Sequence, residues 1–301
     1  MKTKTANLMI CKKFDEWIAT ITDPAVKEKV EKGSILTGGA IASMLLRESV
    51  NDFDFYFKDQ DTAKAVAEYY VAVFNQNPPP RSNVKPVTIT VETSSDRVRI
   101  VIKSAGIAGE SQQATTYEYF EGRPPEASED YATKVIEAKE QAEEKPDYRP
   151  VFLSDNAITL SGHVQLVIRF FGTPDQIHEN YDFVHATNYW TSWDRKISLK
   201  AEALECLLTK ELRYTGSKYP ICSLIRARKF IQREWTINAG QYLKIAFQIN
   251  ALNLKDFDVL REQLIGMDVA YFMQVLALLK EKDPSKVNTA YLVEIIDRIF
   301  G

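Results

Sequence analysis

Between residues 34 and 76 the spacing of apolar positions changes repeatedly. "SILT" reads as a short strand, residues 39 to 47 as a helix, "DFDFYF" as a period-two strand, and residues 61 to 74 as a helix carrying Ala65, Val66, Tyr69, Tyr70 and Val73. Upstream, Phe14, Trp17, Ile18 and Ile21 share one face of a helix predicted over about 11 to 22, and Asp23-Pro24 opens another turn or helix. Downstream, "NPPPRSNVKP" predicts a loop, and "VTITVET" with "DRVRIVIKSAG" alternates as a hairpin does. Strands resume at "NAITL" and "HVQLVIRFF", followed by a short helical "TPDQIHEN" and a further strand-like segment, "YDFVHATNYW".

From about Lys200 the pattern is helical only, with helices predicted over 200 to 210, 222 to 235, 239 to 250, 256 to 264, 269 to 281 and 288 to 299. This places a domain boundary near 199, between an α+β head (1–199) and an all-helical neck and body (200–301). Residues 121 to 147 hold nine acids against four bases, a net −5, and read as a solvated surface insertion in the head.

Composition adds little to this picture: 45% hydrophobic and 26% charged residues over 301 positions are ordinary for a globular chain. A net charge of −3 argues against a protein wrapped in nucleic acid. Cys11, Cys206 and Cys222 are scattered and lack CxxC spacing, which points to reduced thiols in a cytoplasmic setting. No run of about 18 apolar residues and no secretory leader pattern occurs, so no membrane partner is expected. His163, His178 and His185 lack the spacing of a zinc motif and read as structural or exposed. P-loop, nucleophile-elbow and zincin motifs are likewise missing.

The candidate chemistry lies in "ILTGGAIASMLLRESVNDFDFYF". Strand residues two apart point to one side, so Asp52 and Asp54 project together while Phe53, Phe55 and Phe57 pack the opposite face. Two carboxylates that close repel unless a cation or a hydrogen-bond network holds them, and Mg²⁺ or Mn²⁺ suits the role because hard ions take carboxylates, waters and phosphate oxygens. Gly38-Gly39 precedes a helix, whose N-terminus offers free N–H groups to an anion; without side chains there, a phosphate can approach the backbone closely.

This stretch resembles the signature of the DNA polymerase β-like nucleotidyltransferase superfamily: hydrophobic strand, Gly-Gly or Gly-Ser, helix, then an acidic-hydrophobic-acidic strand. Its closest flavour is the head of CCA-adding enzymes and bacterial poly(A) polymerases, in which an Arg-Asp pair follows the glycines. Here Ala42-Ser43 or nearby residues stand in that place, and Ser43 joins Gly38 and Gly39 as a nucleotide-binding candidate. "NYDFVHATNYW" is similar to the segment closing that head, with Asp182, Phe183 and Asn188 in place and both arginines missing. "ICSLIRARKFIQREWTI" is similar to the neck helix, with Arg226, Lys229 and Phe230 in order but no preceding base-reading Asp-x-x-Arg element. The whole chain also resembles uncharacterised nucleotidyltransferase-like proteins of tailed phages.

The resemblance implies a mixed-sheet nucleotidyltransferase head with flanking helices. It also implies a nucleoside triphosphate substrate, a divalent metal, and transfer of a nucleoside monophosphate to an acceptor hydroxyl such as an RNA or tRNA 3′ end. Two-metal transfer needs a third carboxylate near Asp52 and Asp54. Asp182 is the first candidate, as metal ligand and proton acceptor; Glu92 is the second, and the strand position that the resemblance suggests holds the neutral Gln165.

Between Arg195 and Thr236 ten bases face four acids, and Arg226, Lys229 and Arg233 are spaced to share a helical face toward a nucleotide or a nucleic-acid backbone. The rival expectation, motivated by Gln165 and the missing arginines, is a non-catalytic nucleotide- or RNA-binding or virion-associated protein that keeps the fold. Base choice, acceptor and oligomeric state are not written in the motifs.

Overall fold

The computed structural model describes residues 1–76, 87–104, 147–154 and 156–254, with 256, 259 and 263. The loop at 77–86, nearly all of the acidic stretch and the three most C-terminal expected helices, apart from those isolated positions, lie outside the described residues. Helix α1 (Thr3–Ala19) starts well before its expected onset, because Ala6 and Ile10, both fully buried, continue the stripe of Phe14 and Trp17 toward the N-terminus. Helix α2 (Pro24–Gly33) opens as its sequence dictates: Asp23 accepts hydrogen bonds from the amides of Ala25 and Val26, at 2.8 and 3.1 Å, and Pro24 occupies the first turn.

The next elements follow the periodicity closely: β1 (Ser34–Thr37), α3 (Gly39–Leu46), β2 (Phe53–Phe57) and α4 (Gln60–Gln76). The hairpin β3 (Val87–Ser94) and β4 (Arg97–Ser104) forms a separate two-stranded sheet. Then come β5 (Pro150–Leu153), β6 (Ala157–Leu160), β7 (Val164–Phe171), α5 (Pro174–His178), a 3-10 turn (Val184–Ala186), β8 (Tyr189–Thr191) and β9 (Lys196–Ser198). Helices α6 (Ala201–Thr209), α7 (Pro220–Ile231) and α8 (Ala239–Asn250) follow.

Seven strands make one sheet in the order β5-β6-β7-β2-β1-β8-β9. It is mixed, since β2 and β7 run parallel while the other pairs are antiparallel. The protein is thus of the α+β class, with helices flanking a mixed sheet. Phe53, Phe55 and Phe57 enter the main core, where Phe55 packs between Trp17 at 4.8 Å and Phe14 at 5.8 Å between ring centroids. Trp17 Nε1 donates to the Tyr70 hydroxyl at 2.7 Å, tying α1 to α4.

One strand expectation is corrected. Asp182 through His185 are all buried, which alternation on a half-covered strand does not give, and the segment "YDFVH" makes only a bridge from Phe183 to Tyr214 before turning into the 3-10 helix. The strand begins at Tyr189. A second core, containing Ala42 of α3, Phe183, Leu207, Ala227, Trp235 and Ile245, fastens the C-terminal helices to this turn.

Candidate nucleotide and metal site

The reversal between β1 and α3 is built on Gly38, whose φ of 102° and ψ of −151° lie in a region open essentially to glycine alone. Its amide donates to the Ala186 carbonyl at 3.1 Å, so the bend is pinned against the 3-10 turn. Gly39, the first residue of α3, is exposed, and nothing lies within 4 Å of where its side chain would begin. The start of α3 therefore presents uncovered backbone at the end of the helix that favours an anion. Ser43 sits one turn further along the same face, half-buried.

The pleat of β2 turns Asp54 and Tyr56 away from the phenylalanine face, with Asp52 just before the strand. A methyl group on Gly38 would stand 3.4 Å from Asp54 Oδ2 and 3.4 Å from the Tyr181 hydroxyl, so carboxylate, phenol and bend meet at one corner. Burial, and then the charge of Asp52, push the Asp54 carboxyl up to about 7. Two half-buried carboxylates in this state suit one hard divalent cation whose remaining positions go to water and phosphate oxygens.

The third carboxylate is placed differently by each candidate. Gln165 of β7 is the register partner of Asp54, so the neighbouring strand offers an amide at that point. Asp182 is 6% exposed and its Oδ2 accepts from Arg226 Nη1 of α7, while its Oδ1 has no hydrogen-bond partner among the described residues. Glu92 lies on the separate hairpin, ion-paired with Arg99 at 2.7 Å. Among the described residues no group of three or more His, Cys, Asp or Glu side chains is arranged to hold a metal. The aspartate pair thus fits one ion, and a second lacks an evident bridging acid.

A polar chain that no sequence motif announces secures the bend from behind. Lys200 Nζ donates to Asp175 at 2.7 Å and contacts His178 Nδ1 at 3.1 Å; since an ammonium can only donate, Nδ1 accepts and Nε2 carries the proton. Nε2 then donates to Thr37 Oγ1 at 2.8 Å, and Thr37 passes its own proton to the Asn188 carbonyl at 2.9 Å. Burial first, and Lys200 second, lower the His178 pKa to about 4, so the ring stays neutral. His185 is also buried, ringed by Phe183, Phe230 and Trp235. The spacing of "TGG" and "IHENY" gives no hint that Thr37, His178 and Tyr181 converge; only the fold does.

The basic helical face is reduced by pairing. Helix α7 ends at Ile231, so Arg233 does not extend its face; Arg233 instead pairs with Glu48, and Arg226 with Asp182. Of the ten bases counted between Arg195 and Thr236, at least six are in ion pairs among the described residues, several with acids distant in sequence. Lys229 is exposed on α7.

A mixed-sheet α+β chain with a diglycine bend abutting an acidic strand is the class that fold and site define. The chain belongs to the Gabija anti-defense 2 (Gad2) family, whose sequence profile matches residues 8–210. It is 23% identical over 132 residues to "Gabija anti-defense 2" of Bacillus phage SPbetaL7, a match spanning 44% of this chain and 32% of that protein. Among solved structures it is similar to a Thermotoga maritima CCA-adding enzyme complexed with tRNA, at TM-score 0.38 and 12% identity over 90% of this chain and 51% of that one. It is also similar to a tRNA nucleotidyltransferase complexed with a primer tRNA and an incoming ATP analog, at TM-score 0.37 and 10% identity over 85% of this chain and 61% of that one. The chain thus covers about a third of the phage relative and half to three-fifths of these structures. Among the described residues no helix is long and apolar enough to cross a membrane.

Proposed function

We propose that this protein is a nucleotidyltransferase that moves a nucleoside monophosphate from a nucleoside triphosphate to an acceptor hydroxyl, and that it acts against the Gabija defence through this chemistry. The observation that carries the reading is the closeness of Asp54 Oδ2 to the Gly38 bend, where a side chain on the glycine would start 3.4 Å from it, beside an uncovered helix N-terminus. Asp52 and Asp54 would hold a Mg²⁺ or Mn²⁺ ion, which when bound supplies charge neutralisation at the phosphates. The amides at Gly39 and the Ser43 face would orient the triphosphate, with the bend kept rigid by Thr37 and His178.

Asp182, with one carboxylate oxygen on Arg226 and the other without a hydrogen-bond partner among the described residues, would take the acceptor's proton. Lys229 is assigned to the nucleotide's outer edge. In this proposal the head ends near residue 199 and the helices after it form the neck. Incubation with labelled nucleoside triphosphates, Mg²⁺ and host extract tests the reading. Label on an RNA, protein or small-molecule acceptor, lost in Asp52→Asn/Asp54→Asn, is the expected result. No label from either protein, with triphosphate still bound, would replace it by a nucleotide-binding role, the reading that Gln165 favours.

A further inference from the structure

Arg169 of β7, where the alternation of buried and half-buried positions breaks, is 5% exposed. Its guanidinium makes no hydrogen bond or ion pair among the described residues: Nε is buried without a partner, and the group lies over the Phe170 ring at 5.4 Å. An arginine cannot shed its proton, so a buried guanidinium without a counter-charge carries a desolvation cost that an anion would remove. The planar N–H edge of a guanidinium suits bidentate binding of a phosphate.

That side chain lines a cleft of about 200 Å³ with Lys218, Asn180, Phe171 and Asp96. Lys218 lies on an exposed loop ahead of α7, and the single acid, Asp96, is exposed at the hairpin tip, where it accepts from Ser94 Oγ at 3.2 Å. Two cations thus face one solvated carboxylate. Asn180 directly precedes Tyr181, whose hydroxyl stands at the Gly38–Asp54 corner, so the cleft adjoins the aspartate site. It is nonetheless a separate position. Arg169 lies past Gln165, the partner of Asp54, where the β2–β7 register shifts, and the lining of its cleft includes none of Gly38, Gly39, Asp52 or Asp54. A phosphate at Gly39 and one at Arg169 are therefore different phosphates.

We propose that Arg169 and Lys218 form an anion subsite, apart from the diglycine bend, that takes a phosphate group of the acceptor. Assigning the phosphate to the acceptor rests on the transfer reading; the subsite itself rests on Arg169. The test is isothermal titration of the full chain with inorganic phosphate, comparing wild type, Arg169→Met, Arg169→Lys, Lys218→Met and Asp52→Asn/Asp54→Asn.

Wild type should bind one phosphate saturably, Arg169→Met and the exposed Lys218→Met should each weaken it by roughly tenfold or more, and Arg169→Lys should recover part of the loss. The double aspartate variant should bind as wild type does. Absence of saturable binding, wild-type affinity in Arg169→Met and Lys218→Met, or loss confined to the aspartate variant would overturn the subsite. Competitive displacement of phosphate by ATP with Mg²⁺ would give the subsite to the nucleotide's own tail and overturn the acceptor assignment. Phosphate bound at Arg169 in a protein that transfers no label would leave the subsite standing and remove the transfer reading.

Discussion

Asp54 stands directly across the parallel β2–β7 pair from Gln165. At the ~4.8 Å spacing of neighbouring strands and an effective dielectric near 20, two carboxylates in those positions would repel by roughly 3 kcal/mol. Gln165→Glu is therefore expected to lower the melting temperature of the metal-free protein and to raise its affinity for Mn²⁺ or Mg²⁺. Thermal melts with and without metal check this; a variant as stable as wild type, with no gain in metal affinity, would place the Gln165 side chain outside the aspartate site.

The two glycines of the bend should separate stability from binding. Gly38→Ala forces a side chain into a glycine-only conformation and against Asp54 Oδ2, at a cost of about 1–3 kcal/mol. Gly39→Ala meets nothing within 4 Å and should change stability by less than about 0.5 kcal/mol while weakening triphosphate binding, because its methyl group covers the backbone that the phosphate approaches. Chemical denaturation and nucleotide titration on both variants measure the two effects.

Asp54 gives the protein a pH signature. Its carboxyl is raised from 3.8 in the unfolded chain to about 7 in the fold, so the folded state holds the proton more tightly. The contribution to stability is complete below about 3.8 and is lost as pH climbs through about 7. Binding of a divalent cation should expel this proton and so strengthen with pH over the same interval. Asp54→Asn should flatten the stability difference between pH 5 and 8, and an unchanged slope in that variant would assign the titration to another group.

Arg226 of α7 pairs with Asp182, which is almost wholly buried while the arginine is 40% exposed. Arg226→Met strands the acid and is expected to cost about 2 kcal/mol, less than a fully buried pair would. Adding Asp182→Asn should recover part of that loss, and a double-mutant cycle by urea denaturation measures the coupling. Additive losses would mean that the pair contributes nothing as a pair.

Much of this site is legible in the sequence because it is local. The strand, diglycine bend, helix and acidic strand between Ser34 and Phe57 follow from period and turn chemistry alone, and the pleat of β2 dictates which side Asp54 takes. What the sequence conceals is long-range: the Thr37–His178–Lys200 chain, Tyr181 at the corner, and the pairing of Asp182 with Arg226 join positions far apart. The same distance misleads the charge count, since Asp15, Glu48, Asp175 and Asp182 neutralise bases that look unopposed in their own stretch. "YDFVH" reads as a strand because its aromatic and branched residues favour one, yet burial on consecutive positions winds it into a turn.

We propose that the Asp52–Asp54 pair and the glycine bend form one nucleotide-and-metal site. Isothermal titration of a nucleoside triphosphate with and without Mg²⁺, on wild type and on Asp52→Asn/Asp54→Asn, tests it most directly. Wild type should bind the triphosphate in a metal-dependent way, and the double variant should lose that binding while keeping its fold. Equal, metal-independent affinity in the two proteins would contradict it.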